Sequence, residues 1–335
     1  MTSTRIARVR RAGLTAGAAA ALGLAAVATA GPAGATQSPS ASVAYDTLTV
    51  QGTNAGDLLA LRLAAGTPAV LDVDFGDDGS AEFSFDRATF SRIDVFMRAG
   101  DDQFRVDQVN GAFADEALTI YGGSGRDTMN GGDGIEVFYG GSGSDSVDGN
   151  KANDIAYMGS GADSFTWDPG DGSDIVEGQS GIDTLDFNGA GIALENMFLT
   201  PNGSRALFHR DQANINMDMD DVERLDLDAL GGVDTIRIDD MSGTDFRRAD
   251  VDLGDADGAV DVLTVNGTAD DDRVSVLADA GRVTVNGLRT QTRITGSEVT
   301  DRLEINTVDG NDRVDVNGAV FGLILPVVDL GAGQA

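Results

Sequence analysis

Seven acidic side chains recur in a glycine-rich stretch, Asp127, Glu136, Asp145, Asp154 and Asp163 at nine-residue intervals and then Asp174 and Asp183. Most close a short polar run such as GGSGRD (residues 122–127) or GGSGSD (140–145). Glycine loses more backbone freedom on folding than any other residue, so this stretch needs something outside the chain to order it. Carboxylates at a fixed spacing, beside glycines whose carbonyls can turn inward, suit a hard divalent cation. Such an ion takes about 6–8 oxygen ligands at about 2.3–2.6 Å.

The residues just after these acids define the elements that must hold them. Two positions on from each acid stand Met129, Phe138, Val147, Ala156, Phe165, Val176 and Leu185, mostly large and apolar. Each repeat is therefore a polar turn followed by a three-residue strand with one inward side chain. That register excludes a solvated acidic linker, which composition alone would allow.

The nonapeptides GGSGRDTMN, GGDGIEVFY and GGSGSDSVD resemble the RTX, or haemolysin-type, calcium-binding repeat G-G-x-G-x-D-x-U-x over residues 118–190. The resemblance implies a parallel β-roll in which two nonapeptides complete one coil and calcium lies between stacked turns. Asp127, Asp145, Asp163 and Asp183 then share one edge, with Gly123, Gly125, Gly141, Gly143, Gly159 and Gly161 shaping its turns. Glu136, Asp154 and Asp174 share the other. There Glu136 is one methylene longer, Lys151 brings a cation into the turn, and Ala152 and Asn153 replace flexible positions. The first edge is expected to bind two or three calcium ions well and the second weakly or in part.

The flanks carry a pattern of their own. Leu48-Thr49-Val50 precedes Asp57 at the offset by which Leu118-Thr119-Ile120 precedes Asp127, and the offset recurs before Asp102, Asp234, Asp272 and Asp312. Alternating apolar residues follow each of these acids, which predicts strand, tight turn, strand. The expected fold is all-β, a parallel β-roll or β-solenoid (118–190) between an N-terminal β-rich region (36–117) and a C-terminal solenoid-like region (191–335). Asp74 to Phe85 has EF-hand-like acids without the closing glutamate and reads as a hairpin turning at Asp77-Asp78-Gly79. Trp167, in a two-residue insertion, reads as a cap over an exposed core edge, with sugar or partner contact as the second reading.

Arg5, Arg8, Arg10 and Arg11, the apolar run from Leu14 to Ala30 and the small residues Ala33-Gly34-Ala35 read as a signal peptide over residues 1–35. The chain of 335 residues holds 55 Asp+Glu against 23 Lys+Arg, a net charge of −32, and no cysteine. This balance argues against nucleic acid as a partner, makes divalent cations the natural counter-charge, and leaves no disulfide to stabilise an exported product. No later stretch is long and apolar enough to predict a transmembrane segment.

Catalysis is not expected. The lone His209 cannot form H-E-x-x-H, no G-x-S-x-G occurs, and acid pairs such as Asp220/Asp221 or Asp239/Asp240 carry little information in so acidic a chain. The reading is a secreted, extracellular calcium-binding protein whose folding is coupled to its ion. A calcium-dependent adhesion protein with a glycan or cell-surface partner is the second reading, and a polysaccharide-acting enzyme the third.

Overall fold

The computed structural model describes residues 37–191, 194–254 and 256–331; the leader read over residues 1–35 lies outside the described residues. The described chain is all-β, with its strands in two large sheets. The first runs from Ser40–Ala44 at one end to Leu325–Asp329 at the other, and the second from Phe83–Asp86 to Arg313–Val316. Among the described residues no helix is long and apolar enough to cross a membrane.

Through the middle of the molecule consecutive strands alternate between the sheets. Ala117–Ser124, Glu136–Ser142, Ile155–Gly161 and Ile175–Glu177 lie in the first, and Thr128–Asn130, Ser146–Asp148, Ser164–Trp167 and Thr184–Asn188 in the second. Neighbours within a sheet are parallel, so that Ile120 stands beside Phe138 and Phe138 beside Ala156, while Met129, Val147 and Phe165 align in the other sheet. The period-two pattern turns these side chains to one face, and the two inward faces share one hydrophobic core. Burying each large apolar side chain contributes about 1.5–3 kcal/mol, which lets strands of three residues hold.

The sheets continue through both ends of the repeat stretch. Arg92–Ala99 pairs in parallel with Ala117–Ser124, and Thr184–Asn188 with Arg224–Asp228. Antiparallel excursions widen them locally. Thr67–Phe75 and Phe83–Asp86 form the hairpin expected around Asp77-Asp78-Gly79, Glu195–Asn202 and Arg205–Arg210 form a second, and Arg273–Asp279, Arg282–Asn286 and Gln291–Thr295 form a meander.

Trp167 corrects one expectation, since it is fully buried rather than placed at an exposed edge. Its ring stacks on Phe187 at 4.1 Å, its indole N–H donates to Gly172 O at 2.9 Å, and the Arg210 guanidinium lies 5.2 Å from the ring centroid. The added residues form the turn that accepts this hydrogen bond, so the insertion seats a core residue. On the first sheet, Phe96, Tyr121, Tyr139 and Tyr157 stack in register at 4.7–5.0 Å between centroids.

Close stacking is what makes glycine obligatory at the turns. Gly143 has φ +142°, and a Cβ there would overlap the Gly125 carbonyl of the preceding turn. Gly203 also has positive φ, +70°, but a Cβ there meets nothing. Gly203→Ala is expected to cost about 1–2 kcal/mol from backbone strain alone, and Gly143→Ala more than about 3 kcal/mol. Urea unfolding of the two variants in chelator would show equal losses if stacking did not matter.

Candidate metal centre

The turns between the sheets place the acids in two columns along the edges of the molecule. On one edge each acid accepts a hydrogen bond from the backbone N–H of the acid one level earlier. Asp57 N–H donates to Asp102 Oδ1 at 2.7 Å, Asp102 N–H to Asp127 Oδ1 at 3.0 Å and Asp127 N–H to Asp145 Oδ1 at 2.9 Å. The series continues from Asp145 to Asp163 at 2.8 Å, from Asp163 to Asp183 at 2.9 Å and from Asp183 to Glu223 Oε2 at 2.8 Å.

The opposite edge repeats the device in two runs. Glu136 N–H donates to Asp154 Oδ1 and Asp154 N–H to Asp174 Oδ1; further along, Glu195, Asp234, Asp261 and Asp301 are joined in the same way. Back on the first edge, where the turns lead into the second sheet, Asp272 N–H donates likewise to Asp312 Oδ1. The seven acids singled out in the repeats are all buried and divide between the edges as their alternation predicts.

The second carboxylate oxygen distinguishes two kinds of turn. Asp57 Oδ2 accepts the N–H of Thr53 at 2.6 Å, and Asp272 Oδ2 that of Thr268 at 2.8 Å. Glu136 Oε2 is met by Gly132 N–H, Glu195 Oε2 by Ala190 N–H and Asp301 Oδ2 by Glu298 N–H. These acids cap their own turns.

By contrast, Oδ2 of Asp102, Asp127, Asp145, Asp163 and Asp183 is buried without a hydrogen-bond partner, and so is that of Asp154 and Asp234. A buried polar atom left so costs about 1–3 kcal/mol, more when charged. Five of the seven stand consecutively in one column.

Glycines bring a second oxygen to these atoms. A Cβ on Gly122 would lie 2.6 Å from Asp127 Oδ2 and 2.7 Å from Gly140 O. One on Gly140 would meet Asp145 Oδ2 at 2.7 Å and the Met158 carbonyl, and one on Gly178 would meet Asp183 Oδ2 at 2.8 Å and the Asp221 carbonyl. The two flanking columns, Gly123–Gly141–Gly159 and Gly125–Gly143–Gly161, each lie against the carbonyl of the residue one level before. The donor set is carboxylate and carbonyl oxygen throughout, which fits a hard cation of the calcium or magnesium class.

Electrostatics give the same picture from another side. Burial pushes the Asp145 carboxyl up to about 7, against the Asp127 N–H that lowers it, with Asp127 and Asp163 adding like charge. Burial likewise raises Asp183, Glu136 and Asp174 to about 7, Asp102 to about 6 and Asp154 to about 9. Asp127 and Asp163 are raised for the same reason.

Lys151 departs from expectation. Its ammonium leaves the turn, pairs with Asp133 at 3.0 Å and is 59% exposed, so it neutralises none of the buried acids. Ala152 does hold a strained turn position, at φ +72°.

Asp102, Glu195, Glu223, Asp261 and Asp301 belong to the columns although they lie outside the nonapeptides. Their shared signal is an acid followed two residues later by a large apolar side chain, here Phe104, Met197, Leu225, Leu263 and Leu303.

These folded-state values lie above the ordinary carboxylate range of the unfolded chain. The stability they carry is therefore complete below about pH 4 and lost as the pH rises through about 6–7, and through about 9 for Asp154. In chelator, the melting temperature is expected to fall by on the order of 10 °C between about pH 5 and about pH 8. A flat or rising profile in calorimetry would contradict the burial of these carboxyls. Neither the protein-family models nor the curated proteins compared with this chain give a match, so its functional reading stands on the columns themselves.

Proposed function

We propose that this is an exported calcium-binding protein built as a parallel β-roll continued by solenoid-like flanks, and that its folding is coupled to the ion. The observation that carries this reading is the run of buried, unpartnered Oδ2 atoms from Asp102 to Asp183. Divalent cations supply what these atoms lack, and the chain, at net charge −32, has few cations to spare.

Asp127, Asp145, Asp163 and Asp183 are the carboxylates that would hold calcium, with carbonyls such as those of Gly140 and Met158 beside them. Bound calcium would neutralise the column and favour its ionised form. Glu136, whose Oε2 already caps its own turn, would contribute less, which supports a weaker second edge. Asp154, with one oxygen unpartnered, is the best donor among that edge's repeat acids.

Coupling follows from mass action. Calcium sites of extracellular modules have dissociation constants of about 10⁻⁴–10⁻³ M, and a site at ten times that concentration adds about 1.4 kcal/mol. In low calcium the like charges of each column oppose stacking; in millimolar calcium a few coupled sites shift the balance toward the folded chain. A leader for export and the absence of cysteine accord with an ion in the stabilising role that disulfides fill elsewhere.

Calcium added to the chelated full chain at neutral pH is expected to give a cooperative gain of β signal in circular dichroism, together with a change in the emission of Trp167, and magnesium much less. Asp145→Asn should raise the calcium midpoint about tenfold, the equivalent of about 1.4 kcal/mol, and Glu136→Gln by less than about threefold. A chain that neither binds calcium nor responds to it, or equal losses in the two variants, would sink the reading in whole or in its assignment of edges.

A further inference from the structure

The two sheets present unlike outer faces. On the second, the outward rows through the repeats read Ser146–Ser164–Thr184 and Asp148–Thr166–Asp186, polar throughout. On the first they read Val137–Ile155–Ile175 and Tyr121–Tyr139–Tyr157, and Phe96 extends the tyrosine row into the strand before. None of these apolar and aromatic side chains packs on the hydrophobic core, and Tyr139 and Ile175 are 37% and 38% exposed. A contiguous apolar strip with polar margins, on a chain this charged, marks an interaction surface.

Ring geometry narrows what can cover it. Successive rings lie within 6–12° of parallel at 4.7–5.0 Å, so they cover one another's faces, and Gln51 and Glu177 stand at the two ends of the row. Stacking a sugar or a base needs a free aromatic face; this row offers ring edges and a line of hydroxyls instead. A second flat sheet fits such a surface, its side chains meeting this one at about 10 Å between backbones.

Charge selects which sheet. At the Phe96 end stand Arg92, 51% exposed, and Arg98, whose guanidinium donates to Gln51, against the carboxylate of Asp94. At the other end Glu177, Asp218 and Asp220 share Arg205. One end is thus the more positive and the other the more negative, and the strip is complementary to a reversed copy of itself.

We propose that the outer face of the first sheet, from Arg92–Ala99 to Ile175–Glu177, is the interface of a two-fold dimer of this chain, with the symmetry axis along Glu136–Ser142, the middle one of the five strands. That axis sets Tyr139 against the partner's Tyr139 and each cationic end against the partner's anionic end, as an isologous contact requires. Five strands about 4.8 Å apart and about 20 Å of strand length give about 500 Å² per copy and about 1,000 Å² in all, the lower limit of a specific interface, so association is expected on the order of 10 μM. The net charge of −32 opposes it, and salt at about 0.15 M screens that repulsion beyond about 8 Å. The dimer goes beyond the proposed function and rests on the stacked strands alone.

The test is sedimentation equilibrium of the full chain at neutral pH in calcium and salt, with circular dichroism as the check on folding. The parent is expected to dimerise. Tyr139→Thr/Ile155→Thr removes apolar bulk outside the core while keeping β-forming residues, and is expected to weaken the dimer about tenfold or more with an unchanged spectrum. Arg98→Glu and Glu177→Lys are each expected to weaken it about tenfold, and an equimolar mixture of the two to recover the parent's affinity. In the mixed pair the two altered residues meet at one end and the two native ones at the other, a recovery that a merely structural defect would not show. A folded, calcium-bound parent that stays monomeric at about ten times the expected dissociation constant would overturn the dimer and leave the proposed function standing. A dimer indifferent to the variants, or a mixture without recovery, would equally overturn this arrangement. A folded parent that dimerises without binding calcium would overturn the proposed function and leave the dimer.

Discussion

A carboxylate buried at a turn, accepting the backbone N–H of the acid one level before it, is the interaction on which the molecule depends. It satisfies a donor that a sharp turn between two sheets would leave unpaired, and it sets each level on the last. It also concentrates like charge in a line. The protein answers that cost in two ways. Thr53 and Thr268 lend their N–H groups to Asp57 and Asp272, so those turns are closed within themselves. Arg210 pairs with buried Glu195, so there the counter-charge is internal. From Asp102 to Asp183 the second oxygen has neither answer, and that stretch is where a cation is proposed.

The legibility of the sequence follows this division. From Asp127 to Asp163 nothing interrupts the nine-residue period, so the acids, their two edges and the inward side chains could be placed from spacing alone. The offset of nine found Asp57, Asp102, Asp234, Asp272 and Asp312, because an apolar strand leads into each turn. It missed Glu195, Glu223, Asp261 and Asp301, whose turns follow longer or differently composed connections. Position four before the acid carries the chemical difference. Threonine at 53 and 268 supplies a capping donor, whereas Gly123, Gly141 and Gly159 adopt positive φ and leave the acid's second oxygen unmet.

Trp167 could not be placed from sequence for a related reason. A single tryptophan beside proline and glycine has the composition of an exposed loop, and only the stacking of Phe187 on the next level shows where the ring goes. Lys151 fails in the opposite direction. Its position counted it into the turn, but a flexible four-carbon stem lets an ammonium leave a buried column for water and Asp133. Side-chain reach can move a charge several ångströms without disturbing the register of the backbone that carries it.

The hydrogen-bonded columns also measure length differently from the chain. Acids joined by one bond are 18 residues apart at Asp127–Asp145, 20 at Asp163–Asp183, 25 at Asp102–Asp127, 40 at Asp183–Glu223 and 45 at Asp57–Asp102. Across all of them the axial step is a single strand spacing. Hairpins such as Glu195–Arg210 take up the difference as extra strands in line within one sheet, between Ile215–Asp220 and Asp234–Ile238, while the other sheet goes directly from Thr184–Asn188 to Arg224–Asp228 and Arg248–Asp252. An insertion can therefore lengthen one sheet by a pair of strands, interrupting the column on that edge, while the acids of the other edge keep their single-strand pitch.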